Sequence, residues 1–278
     1  MNHLGVIQSV SDFLTKTAGL HYRNREEIRF FCRGQASMAL KLRPKIGRYK
    51  FTGPRIPRIE PTWQRTTDAM FRQFEREYIA YHERELTRKI DRLTLAQHYG
   101  LATQLLDWTL NPLVALYFAC ESQSRTDGIV FVFSPHPGDT GILDDDNLLK
   151  EDAWQTLRPR RFDQRMVNQD SVFTFHRDPT IDFAEALGTG CSGVLVPTHA
   201  KPLILNELAS IGFHKAFIYP GLTSVCERIE DAYRATYTYQ EDKTFFGNSG
   251  GMQFDESLAD DRTPYLSAQP VNKPGSPN

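Results

Sequence analysis

The amino-acid sequence predicts an α+β fold: a mixed, mainly antiparallel central sheet with packed helices, in a single domain. A chain of 278 residues with 40% hydrophobic residues supplies enough apolar side chains for a substantial core. Segments with strand and helix patterns follow one another without strict alternation, which argues against a doubly wound α/β fold. We expect an N-terminal helical segment over 1–24, the folded domain over 25–246, and a disordered tail over 247–278, which is rich in Gly, Ser, Asp and Pro.

A basic, proline-rich loop is predicted over residues 41–65, inserted in the domain. It carries eight lysines and arginines against Glu60 alone, and its four prolines rule out a continuous helix. Charge runs of this kind are usually solvated surface. The alternative is that the loop binds the phosphate groups of a nucleotide, or a nucleic-acid or protein acceptor.

The next element is a helix within residues 66–93. Phe71, Phe74, Tyr78 and Tyr81 recur at steps of three and four residues. That spacing places the four rings on one helix face and leaves charged residues on the other. We therefore predict that this aromatic stripe packs in the core.

A second, buried helix is predicted from Pro112 to about Ser122. Asn111 is suited to the N-cap, and proline is favoured at the first helical position. The residues that follow are apolar nearly all round, which is typical of a buried helix. Residues 107–109, Asp-Trp-Thr, come just before its start, where free backbone N–H groups attract either an anionic ligand or a capping side chain.

The later patterns are shorter. The residues between 138 and 162 are polar and predict a connection without regular structure. Period-two or continuous apolar runs predict strands, and periodic segments bounded by Pro or Gly predict helices. The predicted strands cover 128–134, 169–176, 191–197 and 215–220, and the predicted helices cover 201–212 and 221–234.

Composition excludes several classes of protein. The formal net charge of −1 gives no global attraction to nucleic acid or anionic membrane. The N-terminus lacks the pattern of a secretory signal, and no apolar run approaches the roughly 20 residues of a membrane helix. Four cysteines lie far apart without a CxxC pair, so we expect no zinc site and a reducing, cytoplasmic setting. No P-loop or HExxH motif occurs in the sequence, and no GxGxxG motif follows a predicted strand.

An arginine directly behind an apolar run is the most informative chemical feature. In "RFFCRGQ", residues 29–35, Arg33 follows a strand-like apolar segment and precedes Gly34. A guanidinium in such a place is costly to desolvate unless it meets an anion. It either forms a buried structural ion pair, for example with Asp107, or offers its fork to a phosphate or carboxylate. Gly34 lets a ligand or another backbone approach closely.

Three segments together resemble the FRG-domain family, which is named for a Phe/Tyr-Arg-Gly motif. They are "FCRGQ", "LAQHYGLATQLLDWTLNPLVALYFA" and "RMVNQDSVFTFH", and the resemblance spans roughly residues 25–225. The middle segment is long and specific. Cys32 departs from the pattern at the aromatic position, with Phe31 one place earlier, while Arg33 and Gly34 match it.

The strand ending in Arg-Gly is also similar to the first strand of arginine-type ADP-ribosyltransferases, in which the arginine holds the phosphates of NAD. This similarity implies NAD as a substrate, with no metal, and a later carboxylate that stabilises the oxocarbenium-like ribose. Gln169 and Asp170 stand where that carboxylate is expected. Gln169 is predicted to contact a ribose hydroxyl, and Asp107 is predicted to supply the negative charge.

Two sets of site residues follow. The predicted catalytic residues are Arg33, His98, Asp107 and Gln169. The predicted cofactor-binding residues are Arg33, Gly34, Gln35, Thr103, Trp108 and Thr109. Each has an alternative: the histidine suits a core or capping position as well as a proton shuttle, the tryptophan suits packing as well as stacking, and the threonines suit backbone hydrogen bonds.

Three functions remain open at this point. The first is an NAD-dependent ADP-ribosyltransferase-like enzyme, acting as a bacterial toxin or phage-defence effector. The second is a non-catalytic module that binds a nucleotide or nucleic acid through the basic loop. The third is a structural interaction domain in which Arg33 and Asp107 form a buried salt bridge.

Overall fold

A computed structural model of the chain describes residues 1–21, 30–51, 62–82, 85–122, 125–135 and 153–233. The predicted tail, 247–278, lies outside the described residues, as does the part of the basic loop from 52 to 61. None of the described helices combines the length and apolar character that a bilayer crossing requires.

Seven strands form one sheet in the described part of the chain. They are β1 (Asn2–Val6), β2 (Phe31–Gln35), β3 (Leu105–Thr109), β4 (Gly128–Phe133), β5 (Trp154–Leu157), β6 (Ser171–His176) and β7 (Cys191–Val196). Their order is β1-β7-β4-β2-β3-β6-β5. The β1–β7 pair is parallel and the other pairs are antiparallel, so the predicted mixed, mainly antiparallel α+β sheet is confirmed.

Helices pack against this sheet. They are α1 (Val10–His21), α2 (Trp63–Glu77), α3 (Lys89–His98), α4 (Pro112–Cys120), α5 (Gln164–Asn168), α6 (Phe183–Leu187), α7 (Lys201–Ser210), α8 (Lys215–Ile218) and α9 (Leu222–Tyr233). One apolar cluster joins α1, α4 and α7 to the sheet, and another joins α2, α3 and α5 to β3, β5 and β6. The core side chains under these helices are almost fully buried, so the helices hold the strands at fixed positions.

The ladder is interrupted between β2 and β3. These strands share one paired position, Cys32 with Thr109, whereas β2 pairs with β4 at five positions. Beyond the Cys32–Thr109 pair the two strands therefore diverge. Arg33 on β2 and Asp107 on β3 lie where they separate, and this fork is the place in the sheet where side chains replace backbone bonds.

Helix α4 is held as its sequence predicts. The Asn111 side chain accepts a hydrogen bond from the Leu113 amide, and Pro112 occupies the first turn. Its apolar residues are buried on several sides, because the helix packs on β2, β4 and α7. The predicted strand over 128–134 and the predicted helix over 201–212 are likewise confirmed, by β4 and α7.

The strand predicted over 215–220 is wrong, because helix α8 covers Lys215–Ile218. The apolar pattern of this segment is too short to distinguish a strand from a helical turn. The His214 side chain accepts a hydrogen bond from the Phe217 amide. This cap favours a single helical turn in place of an extended strand.

The aromatic stripe is only partly confirmed. Phe71 and Tyr78 are buried, and Phe74 stacks between them. Tyr81, by contrast, is 89% exposed. The α-helix ends at Glu77 and continues as a tighter 3₁₀ turn, which rotates the last ring of the stripe toward solvent.

Three strands were not foreseen from the sequence. Strand β1 lies within the predicted helical segment 1–24, which also contains α1, and it extends the sheet beside β7. Strand β5 lies within the predicted polar connection. Strand β3 contains residues 107–109, so these residues belong to the sheet, two residues before the helix that they were expected to precede directly.

Candidate functional site

The Arg33 guanidinium lies in the fork between β2 and β3. Its Nη1 donates a hydrogen bond to the Asp107 main-chain carbonyl at 2.7 Å and lies 3.6 Å from Asp107 Oδ2. The side chain is 17% exposed. Its Nε is buried and has no hydrogen-bond partner among the described residues, so those residues leave part of the donor capacity of the guanidinium unused.

The Asp107 carboxylate is the acceptor in this fork. Its side chain is 53% exposed, so it faces solvent while it approaches Arg33. Gln97 Nε2 donates to Asp107 Oδ2 at 2.9 Å, and Thr103 donates to Gln97 Oε1 at 2.7 Å. The buried Thr103 thus orients Gln97, and Gln97 orients the carboxylate.

A second segment brings further positive charge to the fork. The 3₁₀ turn Lys45–Arg48 is anchored by Ile46, which is fully buried. Lys45 Nζ donates to the Gly100 carbonyl at 2.9 Å, which ties the turn to the end of α3. Arg48 donates to the Arg43 carbonyl through Nε and Nη2.

We call Arg33, Lys45, Arg48, Gln97 and Asp107 the Arg33 cluster. Burial lowers the pKa of Arg33 to about 10, although the Asp107 charge raises it, and the Arg48 charge lowers it further. Partial burial also lowers the pKa of Arg48, again against the opposing effect of Asp107. The cluster therefore contains three cationic side chains and one carboxylate, and an anionic ligand would neutralise the excess positive charge.

His176 lies behind Arg33 in the core. Burial lowers the pKa of His176 to about 3, and the positive charge of Arg33 adds to the effect. The ring is 2.7 Å from Thr174 Oγ1, which in turn accepts from Trp108 Nε1 at 2.9 Å. The ring is therefore neutral in the folded protein, and the wall behind the guanidinium carries no second cation.

Acid should destabilise the protein through this histidine. The folded-state pKa lies below the unfolded value of about 6.5, so its contribution to stability is fully present above pH 6.5 and is lost as pH falls. Between pH 6.5 and pH 5 the free energy of unfolding should fall by about 2 kcal/mol from this group alone. Urea unfolding across this range should show a shallower pH slope for His176→Gln than for wild type. Parallel curves for the two proteins would contradict the assignment.

His98 is part of a different pair. Its Nε2 lies 2.5 Å from Asp163 Oδ2, and Asp163 also caps α5 by accepting from the Met166 amide. Burial raises the pKa of Asp163, but the hydrogen bonds from His98 and Met166 outweigh it and leave the pKa below its ordinary value. His98 thus links the end of α3 to the start of α5. Its neighbour Gln97, and not His98, is bonded to Asp107.

Thr109 lies where β3 pairs with β2, at the closed end of the fork, and Gln169 links it to α8. The Gln169 side chain donates to the Ile218 carbonyl, and the Gln169 main-chain carbonyl accepts from Thr109 Oγ1. Asp170, with a φ of 43°, forms an ion pair with Arg161. The structure does not bring either candidate for the later carboxylate into contact with Arg33.

The remaining predicted binding residues have contacts within the fold. A Cβ on Gly34 would lie 1.8 Å from the Ala115 carbonyl oxygen, so the close approach there is by the backbone of α4. Gln35 is 5% exposed and donates to the Leu40 carbonyl. Trp108 is 3% exposed and packs edge-on against Phe133.

Sequence reasoning missed three members of the cluster. Lys45 and Arg48 were included in the basic loop as a charge run, without individual roles. Gln97 precedes His98 in the sequence and was overlooked because amides carry no charge signal. The detectable signal was the apolar Ile46 within the basic run, which indicates a packed turn and not a solvated loop.

A half-buried glutamate was also not singled out from the sequence. Glu121, directly after α4, accepts hydrogen bonds from Tyr219 at 2.7 Å and Tyr117 at 3.4 Å. Burial raises the pKa of Glu121, although both hydrogen bonds lower it. Arg165 lies 5.0 Å from the centre of the Tyr219 ring. This cluster and Gln169 both contact the 218–219 segment.

A separate pocket of about 550 Å³ lies on the sheet near β7. Leu42, Phe131, Gly193 and Leu195 are among its lining residues, and none of the Arg33 cluster lines it. Elsewhere, no three His, Cys, Asp or Glu side chains of the described ranges are grouped in a way that fits a metal ion.

Comparisons with known proteins give one match. The sequence model of the FRG domain matches residues 28–128, less than half of the chain. This segment contains every member of the Arg33 cluster, and the match supports the resemblance to the FRG-domain family there. No curated protein and no solved structure matches the chain significantly.

Proposed function

We propose that the Arg33 cluster binds the phosphates of a nucleotide, and that the protein is an FRG-domain enzyme that transfers ADP-ribose from NAD. We further propose that the enzyme acts as a bacterial toxin or phage-defence effector. The observation that carries the proposal is the Arg33 guanidinium, which is largely desolvated yet keeps a buried Nε without a partner among the described residues. Diphosphate oxygens suit the Arg33 guanidinium, because guanidinium and phosphate form paired charge-assisted hydrogen bonds.

Asp107 has a defined role in this reaction. The bond between ribose C1′ and the nicotinamide nitrogen breaks, and its electron pair leaves with nicotinamide. A nucleophile of the acceptor, or water, forms the new bond to C1′ and gives its proton to a base. Positive charge develops on the ribose, and a half-exposed carboxylate held by Gln97 is oriented in advance to stabilise it.

The second candidate is nucleotide or nucleic-acid binding without catalysis. Its support is the absence of a glutamate beside Arg33 in the described fork. The described part of the basic loop does not favour an extended nucleic-acid surface, however. Lys41 pairs with Glu185 at 3.6 Å, and Lys45 and Arg48 bind main-chain carbonyls. Lys41 is therefore offset by a carboxylate, and the positive charge of Lys45 and Arg48 is confined to the Arg33 cluster and not spread over an extended surface.

Two substitutions separate binding from catalysis. Arg33→Met keeps the bulk of the side chain but removes the guanidinium, so NAD affinity measured by titration calorimetry should fall at least about tenfold. Asp107→Asn keeps a side-chain oxygen that can accept the hydrogen bond from Gln97, so NAD should still bind. Nicotinamide release should nevertheless fall by roughly a hundredfold, because the stabilising charge is gone.

Arg72→Met is the matched control, because Arg72 is an exposed arginine on α2. It should leave both NAD affinity and nicotinamide release at wild-type values. Equal NAD affinity for Arg33→Met and Arg72→Met would refute the phosphate site. Binding without nicotinamide release in wild type, together with salt-dependent RNA binding, would favour the non-catalytic module.

A further inference from the structure

Residues 97–100 form the end of α3 and the turn that follows it, beside the Arg33 cluster. Gln97 bonds Asp107, His98 bonds Asp163, and the Gly100 carbonyl accepts from Lys45. Tyr99 is different: its side chain is 70% exposed. Gln97, His98 and Gly100 therefore have contacts within the fold, whereas the Tyr99 side chain is exposed to solvent.

The exposed ring has a fixed orientation. The His98 ring meets the Tyr99 ring edge-on, with centroids 5.2 Å apart and planes at 87°. His98 is itself held by Asp163 and is 10% exposed. An exposed aromatic ring held by a buried neighbour loses little conformational entropy when another ring stacks on it, so it is preorganised for binding.

The chain on both sides of Tyr99 contacts the Arg33 cluster, because Gln97, two residues earlier, donates to Asp107 Oδ2. Tyr99 is bonded in sequence to Gly100, whose carbonyl oxygen is 2.9 Å from Lys45 Nζ. Arg48 ends the same 3₁₀ turn that Lys45 begins, which at about 2 Å of rise per residue keeps their Cα atoms roughly 6 Å apart. The backbone at Tyr99 therefore lies between residues that contact Asp107 and Lys45.

We propose that Tyr99 is a stacking platform for an aromatic ring of the ligand whose phosphates bind Arg33. This inference rests on the proposed function and adds a site for the base or nicotinamide ring, which a sugar phosphate, inorganic phosphate or an acidic peptide would leave empty. His98 and Asp163 are positioning residues for the ring. Base stacking on aromatic side chains requires no hydrogen-bond code, so the platform accepts adenine or nicotinamide.

ADP and inorganic pyrophosphate are the probes for this proposal, in titrations of the full-length protein. ADP should bind wild type more tightly than pyrophosphate. Tyr99→Leu keeps apolar bulk but removes the ring, so it should weaken ADP roughly tenfold and leave pyrophosphate unchanged. Tyr99→Phe should retain wild-type affinity for ADP.

Tyr81→Leu is the control, because Tyr81 is a similarly exposed tyrosine elsewhere on the surface. It should change neither affinity, and unfolding midpoints should show that each variant is folded. If Tyr99→Leu binds ADP within twofold of wild type while Arg33→Met loses both probes, the platform is refuted and the phosphate site stands. If wild type binds neither probe, the phosphate site fails, and the platform fails with it.

Discussion

Replacing Gly34 by alanine should destabilise the protein by at least about 3 kcal/mol. The added Cβ would lie 1.8 Å from the Ala115 carbonyl oxygen and 2.6 Å from the Ala119 amide nitrogen. Both atoms belong to the backbone of α4, which cannot move alone because it is buried against β2, β4 and α7. The melting temperature should fall by roughly 6–12 °C, as measured by calorimetry.

Gly190→Ala is the matched control for this experiment. A Cβ at Gly190 meets no atom within 4 Å, and its φ lies outside the left-handed region. Its stability should therefore stay within about 0.5 kcal/mol of wild type. If Gly34→Ala were as stable as Gly190→Ala, the glycine of the Arg-Gly pair would have no packing role, and its contact with a ligand would become the better explanation.

The Gly34 contact explains how the site is assembled. The glycine brings α4 onto β2, while Arg33, the preceding residue, projects from the opposite side of the strand toward the fork. The Arg-Gly pair thus combines a packing requirement with a charge requirement. A change at Gly34 should weaken ligand binding only indirectly, through displacement of β2.

The fold class and the elements with strong local signals were predictable, whereas three of the seven described strands were missed. The caps at Asn111 and Pro112, and the continuous apolar run of β4, require no knowledge of distant residues. Strands β1 and β5 were missed because both lie at the edges of the sheet, where half of each strand faces solvent and the apolar pattern is weak. Their pairing depends on β7 and β6, which are far away in sequence.

The site was predictable only in part. The proximity of Arg33 and Asp107 followed from one rule, that a buried guanidinium needs an acceptor. The Gln97 bond could not be predicted, because it depends on where α3 ends relative to the fork. His98 and Gln169 were expected beside Arg33, but helix packing directs them to Asp163 and Ile218.

Replacing Trp108 by alanine should destabilise the protein by about 3–5 kcal/mol. The indole is 3% exposed, and it packs against Phe133 at 4.7 Å and Phe183 at 5.9 Å between ring centroids. Its Nε1 donates to Thr174 Oγ1. The truncation would leave a cavity behind the fork and remove one partner of the Thr174–His176 network.

Trp108→Phe separates packing from hydrogen bonding. It keeps an aromatic ring but loses the donor, so urea unfolding should show a loss of only about 1–2 kcal/mol. Because the indole lies inside the core, ADP affinity of folded Trp108→Phe should match wild type, in contrast to Tyr99→Leu. A stable Trp108→Phe variant that no longer binds ADP would place the ligand ring on the indole, and the ring platform would then belong to β3 and not to the end of α3.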